Sequence, residues 1–249
     1  MRHLFSPAGL ARFREFAVPG TLVALDYDGT LTPIHDDPAE ASLPPAVACR
    51  LQAVARAWPT VVISGRAGAD VRRLLAGLQG IQVIGNHGAE SSALIPAFLR
   101  ERVAGWREAL QRRLPALPGL VLEDKGYSLS VHYRGSPDRA AAQAAILAAT
   151  AELPGVRAVG GKAVVNLVLP EAPDKGTALL WACRRAGCRR AIYVGDDDTD
   201  EDVFALERPD EVLGIRVGPA PDTRAEFCLS GTGEVGELLS MLERAAAPG

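Results

Sequence analysis

The stretch TLVALDYDGTL, residues 21–31, decides the fold. Its first half, Thr21–Leu25, is a continuous apolar run without polar alternation. Such a run reads as a strand covered on both faces, the condition of strands in a parallel sheet. Its second half, Asp26-Tyr27-Asp28-Gly29-Thr30-Leu31, falls just past the strand's carboxyl end. Ligand sites of open parallel sheets lie there, where the loops diverge. Two carboxylates one residue apart repel unless a cation or a proton is shared between them. An acidic turn leading into a helix accounts for Asp and Gly equally well when the motif is taken alone.

The same kind of run recurs at Thr60–Ile63, Ile81–Ile84, 191–194 and 213–217. Helix-like segments lie between these runs, at Pro45–Ala57, 69–78, 177–186 and 201–207. Alternating strand and helix predicts a doubly wound α/β sheet. The middle of the chain breaks that rhythm. Helices are expected over 98–114 and 138–153, with strands at 120–122, 127–133, 156–159 and 163–169. Within 127–133, Tyr127, Leu129, Val131 and Tyr133 alternate with Ser128, Ser130 and His132, giving one apolar and one polar face. This is an α+β module with an antiparallel sheet and one open face. The expected division is a core over 1–90, an inserted α+β cap domain over 91–169, and the rest of the core over 170–249.

Composition narrows the function. The 249 residues are 48% hydrophobic and 23% charged, with 27 Lys+Arg against 30 Asp+Glu and a net charge of −3. That balance argues against a partner held through nucleic-acid phosphates, and the apolar content argues against disorder. No apolar run approaches the ~20 residues that span a bilayer, so no membrane association is expected. The opening residues, MRHLFSPAGLARFREF, lack the apolar segment of a secretory signal. Cys49, Cys183, Cys188 and Cys228 form no CxxC pair and have no His at zinc-ligand spacing. Free thiols and a cytoplasmic location are the expectation, together with a monomeric state.

A second acidic cluster, Gly195-Asp196-Asp197-Asp198-Thr199-Asp200-Glu201-Asp202, follows the run 191–194. Capping by Asp198 or Thr199, with Glu201 and Asp202 complementing a helix dipole, explains part of it. It leaves Asp196 and Asp197 at the strand end unexplained. Hard oxygen ligands from two strand ends suit Mg²⁺. Two smaller pieces offer anion contacts. Ile63-Ser64-Gly65-Arg66 closes the run Thr60–Ile63 with a hydroxyl and backbone amides, and Asp174-Lys175-Gly176 places a cation before the helix near Thr177. Taken singly, Ser64 is equally an N-cap and Lys175 equally a surface lysine.

In order along the chain, DYDGTL, SGR, DKG and GDDDTD resemble the haloacid-dehalogenase-like phosphatase superfamily. The resemblance implies a Rossmann-like, mostly parallel core and an aspartyl-phosphate mechanism. Asp26 would be the nucleophile, and Asp28 would protonate the leaving alcohol and then deprotonate the attacking water. Ser64 and Lys175 would bind phosphoryl oxygens, with Arg66 beside them. Asp26, the Asp28 carbonyl and Asp196 would hold Mg²⁺, with Asp197 or Asp200 in support. The cation offsets the repulsion between a carboxylate nucleophile and a dianion.

The inserted module is similar to a narrower family. Gly85-Asn86-His87-Gly88-Ala89-Glu90, Glu123-Asp124-Lys125-Gly126-Tyr127-Ser128 and His132-Tyr133-Arg134 look like those of trehalose-6-phosphate phosphatases, as does GDDDTDED. The resemblance implies hydrolysis of a small sugar phosphate, trehalose 6-phosphate, to trehalose and phosphate, with Glu123 and Lys125 gripping hydroxyls and His87 near the substrate. As an alternative, Glu123 and Lys125 read as a hairpin ion pair and His87 as a structural loop residue. The family commonly carries Glu-x-Arg-Pro before the lysine motif, where this chain has Asn166-Leu167-Val168-Leu169-Pro170. Asn166 can still bond a hydroxyl, but Val168 cannot replace a cation. Sucrose 6-phosphate and a mannosyl phosphoglycerate therefore stay open as substrates, and a non-catalytic sugar-phosphate sensor stands behind them.

Overall fold

Val23 and Leu25 point to one side of their strand and Leu22 and Ala24 to the other, and all four are buried. That double covering organises the sheet around them. The computed structural model describes residues 2–35, 41–91, 97–114 and 117–246. The chain divides into two units, Met1–Ser91 with Asp174–Gly249, and Ser92–Pro173. Along the chain the strands are β1 (Arg2–His3), β2 (Thr21–Leu25), β3 (Thr60–Ile63), β4 (Ile81–Ile84), β5 (Val121–Asp124), β6 (Ser128–His132), β7 (Arg157–Gly161), β8 (Val164–Val168), β9 (Arg190–Gly195), β10 (Val212–Val217) and β11 (Phe227–Leu229). The helices are α1 (Pro7–Phe16), α2 (Pro45–Ala57), α3 (Gly68–Leu74), α4 (Ala97–Arg113), α5 (Arg139–Ala151), α6 (Lys175–Ala186), α7 (Glu201–Phe204) and α8 (Thr232–Ala246).

The first unit holds a seven-stranded parallel sheet in the order β1-β11-β10-β9-β2-β3-β4. From β2 the chain steps outward to β3 and β4, and from β9 it steps the other way to β10 and β11. The order therefore reverses between β2 and β9, and a crevice opens at their carboxyl ends. Phe13 and Phe16 of α1, Leu51 and Val54 of α2, Val71 of α3 and Leu239 of α8 cover one face of the sheet. Ala178, Leu179 and Ala182 of α6 and Val203 and Phe204 of α7 cover the other. The Trp58 indole donates to the Leu242 carbonyl (3.0 Å), tying the start of β3 to α8.

The second unit is an antiparallel sheet, β5-β6-β8-β7, with α4 and α5. Val103, Trp106 and Leu110 of α4 and Ala142, Ile146 and Ala149 of α5 pack with Leu129, Val131, Val165 and Leu167 in its core. The alternation in β6 places Leu129 and Val131 in that core as expected. On its polar side Ser128 and Ser130 are buried, and the Ser130 hydroxyl donates to Asn166 Oδ1 (2.7 Å) across the strand pair.

Candidate active site

Asp26 follows β2 and Asp196 follows β9, so the two carboxylates stand on either side of the crevice. The Asp26 amide donates to the Val194 carbonyl (2.9 Å), continuing the strand pairing to the site itself. Tyr27 turns into the core and its hydroxyl donates to the Ala41 carbonyl (2.8 Å). Burial pushes that phenol up to about 12, so it stays a neutral anchor for the loop.

Lys175 opens α6, whose N-cap Asp174 accepts from the Thr177 amide (2.7 Å). Far from being a surface lysine, it is 1% exposed. Its Nζ lies 2.7 Å from Asp200 Oδ1 and 3.2 Å from Asp26 Oδ1. Burial alone would lower its pKa, but Asp200 and then Asp26 outweigh that and hold the ammonium charged. Asp200 also accepts from the Tyr193 hydroxyl (2.6 Å, on Oδ1) and the Asp197 amide (2.7 Å, on Oδ2). Asp197, rather than Asp198 or Thr199, caps the short turn Asp198–Asp200. Burial raises its own carboxyl to about 6.

Among the described residues Asp26, Asp196 and Asp200 each turn one oxygen inward, and these atoms lie within 4.8 Å of one another. The carboxylates of Asp28 and Asp197 are outside that trio. Gly29 has φ +80°, and a Cβ there would sit 2.0 Å from Asp196 Oδ2, so only glycine lets the two loops meet. Thr30 Oγ1 adds a long contact to Asp196 Oδ1 (3.4 Å). Three buried carboxylates against one ammonium leave two negative charges, which fits a divalent cation with hard-oxygen preference. Burial first, and then Asp200 and Asp196, push Asp26 well above the ordinary carboxylate range against the pull of Lys175.

The third loop comes from β3. Ser64 is fully buried and its Oγ accepts from the Arg66 amide (3.1 Å). Helix α3 begins only at Gly68, so Ser64 is not its N-cap. Arg66 turns back to Asp28, its Nε and Nη2 each 2.6 Å from a carboxylate oxygen. Asn86 and His87 both adopt left-handed backbone (φ 53° and 56°), a strain on the order of 1 kcal/mol each. That turn lays the His87 ring on Gly65, where a Cβ would come within 2.5 Å of Cε1. Glu90 holds the turn, accepting from Asn86 Nδ2 (2.7 Å) and the Gly68 amide (2.9 Å).

In the second unit Glu123, Ser130 and Asn166 are register partners across β5, β6 and β8 and so share one face. Glu123 Oε2 lies 2.8 Å from His132 Nε2 and 3.7 Å from Lys125 Nζ. Val168 is buried opposite Ser128 and Arg157. Sequence reasoning singled out neither Tyr193, which donates to Asp200, nor Glu90, which holds the turn at His87. The available signal for Tyr193 was a hydroxyl in an otherwise aliphatic buried strand.

A doubly wound parallel sheet with acidic residues at the ends of its two central strands, a buried lysine and an inserted α+β module is the haloacid-dehalogenase-like fold. The chain belongs to the trehalose-phosphatase family, whose model matches residues 24–226. A relative from Mycobacterium marinum named trehalose-phosphate phosphatase is 34% identical over 94% of this chain and 64% of its own length. Another from Oryza sativa subsp. japonica, named probable trehalose-phosphate phosphatase 4, is 32% identical over 95% of this chain and 70% of its own length. The chain thus spans just under two thirds of the M. marinum relative. A crystal structure of a trehalose-6-phosphate phosphatase related protein superposes with a TM-score of 0.72 at 27% identity, covering 90% of this chain and 97% of that one. The C-terminal domain of the C. albicans trehalose-6-phosphate phosphatase shares the fold, with a TM-score of 0.77 at 22% identity over 96% of this chain and 98% of that one. Among the described residues, no helix is long and apolar enough to cross a membrane.

Proposed function

We propose that this chain hydrolyses trehalose 6-phosphate to trehalose and phosphate through a phosphorylated Asp26, with Mg²⁺ as the resident ion. The observation that carries the reading is the buried trio Asp26, Asp196 and Asp200 with Lys175 against the first and last of them. When bound, the cation supplies charge neutralisation for a dianionic phosphoryl group. Asp26 forms a bond to phosphorus as the bond from phosphorus to the sugar oxygen breaks, and Asp28 gives that oxygen its proton. Asp28 then takes a proton from the water that splits the acyl phosphate, which returns Asp26 as a carboxylate and releases phosphate. Lys175 and Ser64 hold phosphoryl oxygens. Arg66 stands beside the incoming phosphate and holds Asp28 in orientation through its two hydrogen bonds.

The polar row Glu123, Ser130 and Asn166, with Lys125 and His132 beside Glu123, offers the fixed donors and acceptors that a disaccharide requires. His87 borders the phosphate loop through Gly65. Asn166 and Val168, standing where the family commonly has Glu and Arg, favour a second reading with another sugar phosphate as substrate. A monomer in the cytoplasm completes this reading.

Phosphate release with Mg²⁺ across trehalose 6-phosphate, sucrose 6-phosphate, glucose 6-phosphate and a mannosyl phosphoglycerate tests both readings, with Asp26→Asn as the blank. Preference for trehalose 6-phosphate is the expected result. Preference for another member keeps the chemistry and replaces the substrate. Binding without turnover of any of them favours a sensor and overturns the enzyme.

A further inference from the structure

Arg216 lies on β10, is 6% exposed, and takes no part in the chemistry above. Its Nη1 donates to the Asp197 carbonyl (3.0 Å) and to Glu201 Oε1 (3.1 Å). Glu201 is itself tethered, accepting from Thr223 Oγ1 (2.6 Å) and the Arg224 amide (2.9 Å). The Arg216 Nε is buried and has no hydrogen-bond partner among the described residues. An unpaired buried donor opposes folding, so packing alone would favour an apolar residue here. What the guanidinium does supply is a fixed donor to the backbone of the acidic loop. From Asp197 the bonding continues: its amide donates to Asp200 Oδ2 (2.7 Å), and Asp200 Oδ1 holds Lys175 against Asp26.

We propose that Arg216, braced by Glu201, is a positioning residue that fixes the loop 196–200 and so sets the geometry of Asp196, Asp200 and Lys175 around Asp26. The proposal rests on the metal-dependent phosphatase reading. Residues that orient the groups around an ion without touching it alter its affinity or the activity by about 10- to 100-fold when replaced.

The test measures Mn²⁺ binding to the full chain by electron paramagnetic resonance, alongside kcat and KM for phosphate release from trehalose 6-phosphate and the thermal midpoint. Arg216→Met is expected to weaken Mn²⁺ binding roughly 10- to 100-fold and to lower kcat more than it raises KM. Arg216→Lys, which keeps a donor within reach of the Asp197 carbonyl, should recover most of the affinity. A folded Arg216→Met protein with wild-type Mn²⁺ affinity and kcat overturns the proposal, however far its midpoint falls. Should that variant not fold, Glu201→Gln decides: it loosens the brace and should weaken Mn²⁺ several-fold, and unchanged affinity again overturns the idea. Wild-type protein that binds Mn²⁺ yet leaves trehalose 6-phosphate intact overturns the substrate, not the role of Arg216. Wild-type protein that binds no Mn²⁺ overturns the metal reading and Arg216 with it.

Discussion

Arg66 closes on Asp28 through two parallel hydrogen bonds, Nε to Oδ2 and Nη2 to Oδ1, each 2.6 Å long. The two residues stand on the loops that follow β3 and β2, neighbouring parallel strands. A planar fork on both carboxylate oxygens fixes orientation as well as charge. Lysine brings the charge without the fork. Arg66→Lys should therefore lower kcat/KM by roughly 10- to 100-fold, the cost of a misplaced catalytic group. Steady-state phosphate release reads this directly, and wild-type kinetics in the variant would remove Arg66 from the mechanism.

Asp26→Asn should abolish turnover while leaving the protein as stable as before or more so. Burial and the neighbouring acids work against the Asp26 charge, and Lys175 retains Asp200 as a partner. A neutral isostere removes that repulsion, as is common where function and stability compete. Differential scanning calorimetry should find the midpoint unchanged or a few degrees higher. A large fall would mean that the Asp26–Lys175 contact is a net support of the fold.

Lys175→Met should act in the opposite direction. It leaves the three buried carboxylates of Asp26, Asp196 and Asp200 facing one another without their ammonium, and breaking a buried ion pair typically costs ~3–5 kcal/mol. Urea unfolding without added metal is the appropriate measurement. Stability equal to wild type would show that the carboxylates take up protons at no cost.

Metal stabilisation should grow with pH. In the metal-free fold the raised pKa of Asp26 means that the native state holds a proton the unfolded chain has already lost. Native stability therefore falls as pH rises from the ordinary carboxylate range toward that raised value. Mg²⁺ competes with the same proton, so the midpoint difference between Mg²⁺-loaded and EDTA-treated protein should be larger at pH 8 than at pH 5. A larger difference at pH 5 would contradict the cluster's role.

Much of the parallel sheet is legible in the sequence. Thr21–Leu25, Thr60–Ile63 and Ile81–Ile84 have the same bounds in both, because a strand buried on two faces is written as an unbroken apolar run. β1 and β11, two and three residues long, are too short to show any period. The helix expected over 69–78 stops at Leu74, ahead of Gly77 with φ +94°. Helix α8 escapes notice although Val235, Leu238, Leu239 and Leu242 are spaced for one buried face, since Gly233 and Gly236 lower its intrinsic propensity. In the site, Asp26, Asp28, Ser64, Lys175 and Asp196 stand out because each lies at a strand end or helix start. The pairings of Arg66 with Asp28, of Tyr193 with Asp200 and of Arg216 with Asp197 do not. They depend on which strands become neighbours and which way each side chain faces, and no local pattern encodes that.

The chain leaves the first unit after Ser91 and returns at Asp174. The two crossings are close: a Cβ on Gly88 would come within 2.3 Å of the Asp174 carbonyl oxygen. A guest held by adjacent stems can be lengthened, traded or rewritten as a single cassette while the host sheet keeps its register. Heredity can thus revise the stretch carrying Glu123, Lys125 and Asn166 without touching the apparatus around Asp26. Changes at positions such as 166 and 168 are of the kind that this arrangement can absorb within the guest alone.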